Sequence, residues 1–262
     1  MVSTGDHATE LEFALDVARL GGRIALEHYR RDQQRQRKSD GTWVTEGDWA
    51  AEAQIRLRIA RTWPGHNILG EEEGLTAAGG GGPLDGAPTW VVDPIDGTHN
   101  YMAGIPVWAT LIALEEDGEA VVGVCHAPAL GETYDAARGM GARFNGAAIQ
   151  VDPLDRLSDA TVCLTGAEVF YGKDLERFLK MLVTRAYRSR GFADFWGHML
   201  VARGAAHVMV EPDLNPWDVA ALVPIVEEAG GRISHLDGSP WRQKGTCLTT
   251  NGALHEEVQG LL

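Results

Sequence analysis

The sequence offers its clearest chemistry at two closely spaced acids, Asp93 and Asp96. They follow the apolar run Trp90-Val91-Val92, which is typical of a short buried strand, within the segment Asp93-Pro94-Ile95-Asp96-Gly97-Thr98. Buried carboxylates need compensation and Mg²⁺ prefers oxygen ligands, so two carboxylates with a backbone carbonyl between them suit bound metal ions. Because Asp, Pro and Gly also form ordinary turns, the segment alone fits a turn equally well.

Two further acidic elements support the metal hypothesis. Glu71 and Glu72 follow a short apolar run, and Asp218 comes early in a predicted helix that begins after Asn215 and Pro216. Taken singly, the glutamates fit a solvated loop, and Asp218 fits compensation of the helix dipole. A shared metal site requires that all three acidic elements converge in the fold.

The first part of the chain is predicted to place helices on a sheet. Apolar spacing predicts a helix over residues 8–31, and Thr45-Glu46-Gly47-Asp48 predicts a capping box at the start of a second helix. Strand-like runs at 107–114 and 120–126 predict an antiparallel sheet beneath these helices.

From about residue 152 onwards, strands and helices alternate, which is the α/β order. We therefore predict an N-terminal α+β half, residues 1–152, with most of the metal ligands, and a C-terminal α/β half, residues 153–262, with Asp218. The elements predicted in the second half are strands at 161–164, 187–190, 207–210 and 246–250, and helices at 175–185, 195–203 and 219–229.

The chain is acidic, with a formal net charge of −14 from 37 Asp and Glu against 23 Lys and Arg. This charge argues against nucleic acid or an anionic membrane as a partner. An acidic protein that handles an anionic substrate needs a local cation, which again indicates metal. Three widely spaced cysteines, with no apolar leader or spanning run, predict a soluble cytoplasmic protein whose cysteines are packing residues.

Three segments together resemble the inositol monophosphatase family: Gly70-Glu71-Glu72, Asp93 to Thr98, and Trp217-Asp218-Val219-Ala220. The resemblance spans nearly the whole chain, from Val44-Thr45 to Gly230-Gly231. It implies a layered α-β-α-β-α sandwich of mixed α+β and α/β character, and a hydrolase of small phosphate monoesters. It also implies two or three Mg²⁺ ions as cofactors, inhibition by lithium, and a homodimer.

The resemblance assigns roles to individual residues. Thr98, oriented by Asp48, would position and help to activate the attacking water together with Glu71. The amides of Gly97 and Thr98 would hold the phosphate. Because water is the attacking group, no covalent nucleophile is needed. Positions matching the family's metal ligands are Glu71, Glu72, Asp93, the Ile95 carbonyl, Asp96 and Asp218. Substrate contacts are implied for Glu71, Ile95, Asp96, Gly97, Thr98 and Asp218.

The segment from Arg190 to Asp194 resembles the histidinol-phosphate phosphatase branch of the family, except that Ala193 replaces the usual glycine. This resemblance implies hydrolysis of L-histidinol phosphate in histidine biosynthesis. Arg190 would help to hold the substrate, and Asp194 and Glu211 would contact its cationic end. Alternatively, Arg190 and Asp194 form a structural ion pair between a strand and a helix.

Two other functions compete with this assignment. The first is an inositol monophosphatase or a broad sugar-phosphate phosphatase, which would use the same metals on a neutral polyol. The second is a suppressor-like binding protein that contacts the transcription machinery, although the acidic charge does not favour RNA and the complete set of acidic ligands favours turnover. His99 beside the metal motif receives no catalytic role.

Overall fold

The structure is a computed structural model that describes residues 7–30, 35–38 and 41–262. Within these residues, the first half of the chain forms three helices and ten strands. In chain order they are α1 (Ala8–His28), β1 (Arg35–Arg37), β2 (Trp43–Thr45), α2 (Glu46–Thr62), β3 (Asn67–Gly70), β4 (Gly74–Ala77), β5 (Thr89–Asp96), α3 (Thr98–Met102), β6 (Ala109–Glu116), β7 (Glu119–Ala127), β8 (Glu132–Ala137), β9 (Ala142–Phe144) and β10 (Ala147–Ala148).

The second half forms six α-helices and five strands. These elements follow the alternation that the sequence predicts. In chain order they are β11 (Thr161–Leu164), α4 (Ala167–Tyr171), α5 (Glu176–Arg185), β12 (Arg188–Arg190), α6 (Asp194–Ala202), β13 (Val208–Leu214), α7 (Pro216–Val219), α8 (Leu222–Glu228), β14 (Arg232–Ser234), β15 (Gly245–Thr250) and α9 (His255–Gln259).

The strands form two large sheets and one small hairpin. The first sheet has eight strands in the order β10-β9-β8-β7-β6-β5-β3-β4, and the second has five in the order β12-β11-β13-β15-β14; β1 pairs with β2. The first sheet is antiparallel, as predicted, except where β5 runs parallel to β3. β4 runs antiparallel to β3 on one of its sides. The chain then crosses to the other side of β3, where β5 runs in the same direction as β3.

Helices cover both sheets and separate them. Apolar residues of α1 and α2 pack on one face of the first sheet. Those of α6 and α8 fill the space between the sheets, and α4, α5 and α9 cover the outer face of the second sheet. The fold is therefore the predicted five-layer α-β-α-β-α sandwich. The division at residue 152 stays a prediction, because α6 and α8 of the second half pack on the first sheet.

One predicted helix start is confirmed, and one predicted helix is divided in two. Thr45 and Asp48 form the predicted capping box at the start of α2. The helix predicted over 219–229 is instead divided into α7 and α8. Pro224 accounts for the break, because it has no amide hydrogen for the Ala220 carbonyl and its ring would clash there in a continuous helix. Among the described residues, no helix has both the length and the apolar composition of a transmembrane span.

Candidate active site

Residues that follow two parallel strands form the base of the site. In the pairing of β3 with β5, Gly70 lies opposite Val92, and the Glu71 amide donates to the Val92 carbonyl at 3.1 Å. Parallel strands end at the same edge of a sheet, so Glu71 lies beside Asp93, and their carboxyl groups are hydrogen-bonding neighbours. The fold thus brings two of the three acidic segments together.

A bulge in β5 directs Asp93 and Asp96 into the same site. Asp93 pairs with Leu111 and Asp96 with Ala109, so β5 has one more residue than β6 over this stretch. Side chains alternate along a strand, and residues three apart normally point to opposite faces; the extra residue removes that opposition. Pro94 has no amide hydrogen to donate to a ladder, so it is tolerated at such a bulge.

Asp218 completes the cluster from the second half of the chain. The Asn215 amide donates to Asp218 Oδ2 at 2.7 Å, a helix-cap hydrogen bond that fixes the carboxylate at the start of α7. Ligand oxygens of Asp93, Asp96 and Asp218 all lie within 4.8 Å of one another. The three acidic elements therefore converge, as a shared metal site requires.

Lys38, which the sequence analysis did not identify, contacts the two glutamates of the site. Its Nζ atom lies 2.8 Å from Glu71 Oε1 and 2.7 Å from Glu72 Oε1. Although burial lowers the pKa of Lys38, these carboxylates raise it above its usual value, so the amino group carries a charge. One end of the acidic cluster thus already holds a cation. An isolated lysine in a polar segment gives no sequence signal for this contact.

A buried ion pair supports the turn that carries the glutamates. Glu52 is 1% exposed and accepts hydrogen bonds from the Glu72 and Glu73 amides at 2.8 and 3.0 Å and from Arg56 at 2.8 Å. Arg56 in turn donates to the Gly74 carbonyl at 2.6 Å. The Glu52 carboxylate fits because the β3 residue before the turn is glycine, where a Cβ atom would lie 2.2 Å from Glu52 Oε1.

We expect Glu52→Gln to weaken metal binding rather than abolish folding. The glutamine keeps one acceptor oxygen but cannot satisfy both turn amides and Arg56, so the turn that carries the candidate ligands Glu71 and Glu72 loses its support. The apparent Mg²⁺ affinity should fall by about 10- to 100-fold, measured by titration calorimetry. Arg58→Ala, which breaks an exposed ion pair on the same helix, is the control and should leave the affinity unchanged. Equal affinities in both variants would contradict the prediction.

The acids of the cluster lack full compensation. Burial, reinforced by neighbouring carboxylates, raises the pKa of Asp93 and of Asp96 well above the usual value. Burial also raises the pKa of Asp218 to about 8, against the opposing effect of the Asn215 amide. A divalent cation bound among these three carboxyl groups would offset their mutual repulsion and stabilise their ionised forms.

The donor set fits a hard divalent cation such as Mg²⁺. All candidate ligands are oxygen atoms, with carboxylates from three separate segments. Asp48 lies behind them; its Oδ2 accepts from the Thr45 amide and hydroxyl at 2.8 and 2.6 Å. Its Oδ1 is buried and has no hydrogen-bond partner among the described residues, as expected of an oxygen that serves a hydrated ion or a bound water.

Thr98 differs from the sequence expectation in its hydrogen bond. Its hydroxyl donates to the Ile95 carbonyl at 3.0 Å. Among the described residues, no hydrogen bond joins Thr98 to Asp48, because Thr45 takes Asp48 Oδ2 and the free Oδ1 remains unpaired. The carbonyl retains a second lone pair for a cation. The cooperation of Thr98 with Asp48 stays a prediction.

A second acidic group adjoins the cluster. The Phe195 amide at the start of α6 donates to Asp96 Oδ2 at 2.7 Å, which brings the preceding Asp194 to the site. Burial above all, and then the Glu211 carboxylate, raise the pKa of Asp194 to about 7. Asn100, which the sequence analysis missed, opposes this shift by donating to Asp194 Oδ2 at 2.9 Å. Asp194 and Glu211 thus lie together beside the acidic cluster.

Backbone geometry explains two small residues here. Gly97 has φ 85°, and a Cβ atom there would lie 3.0 Å from the Val107 carbonyl, so this approach requires glycine. Ala193, which replaces the expected glycine, has φ −94° and ψ −170°, a conformation that any residue adopts. The unusual φ of 55° instead belongs to Asp194.

The structure does not bring Arg190 into this group. Arg190 is exposed on the edge strand β12 and donates to the Ser189 carbonyl at 3.0 Å. The alternative ion pair with Asp194 is absent from the ion pairs of the described residues, and Asn100 contacts that carboxylate instead. His99 is exposed beside Trp43 and Met102, outside the acidic cluster.

Comparisons with known proteins agree with this geometry. The family model for the inositol monophosphatase family matches residues 6–261. A histidinol-phosphatase of Chlorobaculum parvum is 41% identical over 237 residues, which cover 87% of this chain and 89% of the relative. One of Mycobacterium tuberculosis is 42% identical over 227 residues, covering 84% and 85%. The structure of Thermotoga maritima IMPase superposes with a TM-score of 0.84 at 33% identity, covering 97% of this chain and 96% of that one. The chain therefore belongs to the inositol monophosphatase family and is a phosphomonoesterase.

Proposed function

We propose that this phosphatase hydrolyses L-histidinol phosphate to L-histidinol and phosphate with Mg²⁺ as its cofactor. The observation that carries the substrate assignment is the pair of carboxylates, Asp194 and Glu211, beside the metal cluster. Neither has a Lys or Arg ion-pair partner among the described residues. A pair of acids without basic partners suits a substrate that brings its own positive charge, as an ammonium or imidazolium group does.

The metal ligands are part of the same proposal, and the convergence of Asp93, Asp96 and Asp218 supports them. Two or three Mg²⁺ ions, when bound, would neutralise the phosphate and increase the acidity of the attacking water. Lys38 contacts the two glutamates, so it would have to move if an ion occupied that end of the cluster. Inhibition by lithium stays a prediction. The proposed ligands are Glu71, Glu72, Asp93, the Ile95 carbonyl, Asp96 and Asp218.

The chain's own residues would orient the reactants. The amides of Gly97 and Thr98 precede the first turn of α3 and can donate to phosphate oxygens. Asp48 keeps one free buried oxygen and, with its pKa raised to about 7 by burial, can accept a proton from water near neutral pH. We also assign Thr98 and Glu71 to the activation of the attacking water, because Thr98 begins α3 and Glu71 follows β3 beside the acidic cluster.

The names of the most similar relatives support histidinol phosphate, and an inositol phosphate is the alternative substrate considered next. Two relatives at about two-fifths identity are named histidinol-phosphatases, whereas the superposed structure is named an IMPase. An inositol phosphatase would bind a neutral polyol, for which two adjacent carboxylates offer only hydrogen-bond acceptors. A cytoplasmic homodimer acting in histidine biosynthesis remains part of the proposal.

The test is a comparison of kcat/KM for L-histidinol phosphate, inositol 1-phosphate and glycerol 2-phosphate with Mg²⁺. We expect a preference of at least about 100-fold for L-histidinol phosphate, because two carboxylates contact its cationic end. A preference for inositol 1-phosphate would support the alternative. Comparable rates on all three esters would indicate a broad phosphatase.

Arg190→Ala tests whether the exposed arginine contributes to selectivity. If Arg190 contacts the substrate, kcat/KM for L-histidinol phosphate should fall by about tenfold, with less effect on glycerol 2-phosphate. Arg188→Ala, at an exposed position of the same edge strand, is the control. Equal losses on both esters, or no loss, would remove Arg190 from the substrate site.

A further inference from the structure

His198 is a fully buried residue of α6 that contacts two strands of the second sheet, at Glu211 on β13 and at Thr249 on β15. Its Nε2 atom lies 3.2 Å from Glu211 Oε2, and its Nδ1 atom lies 2.7 Å from the Thr249 hydroxyl on β15. The exposed fraction is 0% for His198 and 4% for Glu211. Nothing in the metal chemistry uses this histidine, yet one of its nitrogens contacts a proposed substrate ligand.

The hydrogen bonds determine which nitrogen carries the proton. An ionised carboxylate only accepts, so Nε2 must donate to Glu211. In a neutral ring Nδ1 is then an acceptor, and the Thr249 hydroxyl donates to it. The threonine thus selects the tautomer that can donate to Glu211.

Glu211 needs such a donor because its surroundings are acidic. Burial above all, and the charge of Glu211 in addition, raise the pKa of Asp194, Asp96 and Asp218, so a freely rotating Glu211 carboxylate would turn away from the site. Its other oxygen, Oε1, lies 3.4 Å from the Asp194 amide. With Oε2 held by His198, Oε1 stays directed at the Asp194 amide at the start of α6.

We infer that His198 is a positioning residue for substrate selectivity: it holds Glu211 so that this carboxylate and Asp194 together receive the cationic end of the substrate. This inference rests on the proposed function, because a neutral substrate would gain little from an oriented carboxylate. The side-chain partners of His198 are Glu211 and Thr249, and neither is a proposed metal ligand. Its effect should therefore appear in substrate binding.

The test compares steady-state constants of His198→Leu and His198→Gln for L-histidinol phosphate and glycerol 2-phosphate. His198→Leu should raise KM for L-histidinol phosphate by about tenfold, with kcat and the constants for glycerol 2-phosphate changing by less than about twofold. His198→Gln should recover most of the loss, since its side-chain nitrogen can reach Glu211 as Nε2 does. In a Glu211→Gln background, His198→Leu should have no further effect.

His255→Leu is the matched control. His255 is also 0% exposed, and its two ring nitrogens contact the hydroxyls of Ser234 and Thr250 at 2.8 and 2.9 Å, away from the cluster. His255→Leu should lower the free energy of unfolding about as much as His198→Leu does. It should leave the ratio of kcat/KM for the two esters unchanged. If His198→Leu alters both esters equally, or behaves as His255→Leu does, the inference is wrong while the substrate assignment stands. If the wild-type enzyme does not prefer L-histidinol phosphate, the substrate assignment fails and the inference fails with it.

Discussion

Asp93→Asn should reduce kcat/KM for every phosphate monoester by about a thousandfold, because cation stabilisation of the transferred phosphoryl group supplies several kcal/mol. Asp93 is the best placed of the acids to serve two ions, since it lies between Glu71 on one side and Asp96 with Asp218 on the other. An amide oxygen is a weaker ligand and carries no charge. The measurement is Mg²⁺-dependent phosphate release from L-histidinol phosphate and from glycerol 2-phosphate.

The loss should not be a folding defect. Asp93 is 2% exposed and repelled by its neighbours, so asparagine should leave the metal-free protein at least as stable as the wild type. Asp135→Asn is the matched control: Asp135 is a buried acid on β8 that lies near Arg143 instead of the cluster. It should retain near-normal activity. A near-normal rate in Asp93→Asn would exclude Asp93 as a metal ligand.

Without metal, the stability of the protein should fall as the pH rises through the neutral range. Burial raises the pKa of Asp218 to about 8, so between its unfolded value near 4 and this folded value the native state holds a proton that the unfolded state has lost. Each such proton lowers the free energy of unfolding by about 1.4 kcal/mol per pH unit. From about pH 5.5 to 7.5, Asp218 alone predicts a fall of about 3 kcal/mol, or about 5–10 °C in Tm.

Thermal unfolding in EDTA and in Mg²⁺ across this pH range measures the effect. Mg²⁺ should remove the fall, because the ion favours the ionised carboxylates of the folded state. Asp218→Asn should reduce the slope in EDTA. A Tm in EDTA that does not change with pH in the wild type would show that these carboxyls are already ionised in the folded protein.

Local signals in the sequence predicted the parts of the site that local contacts build. Thr45 with Asp48 and Asn215 with Asp218 are helix caps, formed within four residues, and both acids lie where the sequence indicates. The Asp93 to Thr98 segment was equally identifiable, although its bulge became visible only through the pairing with β6. The helix predicted over 219–229 is interrupted because of Pro224. The prediction followed the apolar periodicity and did not take the proline into account.

Contacts between distant segments could not be predicted in this way. Lys38, Asn100 and His198 each reach an acid from another element of the fold, and a single polar residue carries no periodic signal. The same holds for Arg190: its place in a family motif suggested a substrate contact, but only the fold shows that it lies on an exposed edge strand. Residue type and spacing thus predicted the acidic cluster better than the residues that support it.

The position of Asp218 also links catalysis to the integrity of the fold. Asp93 and Asp96 belong to the first sheet, whereas Asp218 belongs to α7, which follows β13 of the second sheet. An ion shared by the three would therefore act as a reversible crosslink between distant parts of the chain. Such an ion binds the folded chain and not the unfolded one, so it stabilises the folded state, and its removal favours opening of the sandwich. Chelation should therefore expose the interface between the sheets to proteases, and the ion that supports the chemistry would also determine how long the enzyme survives.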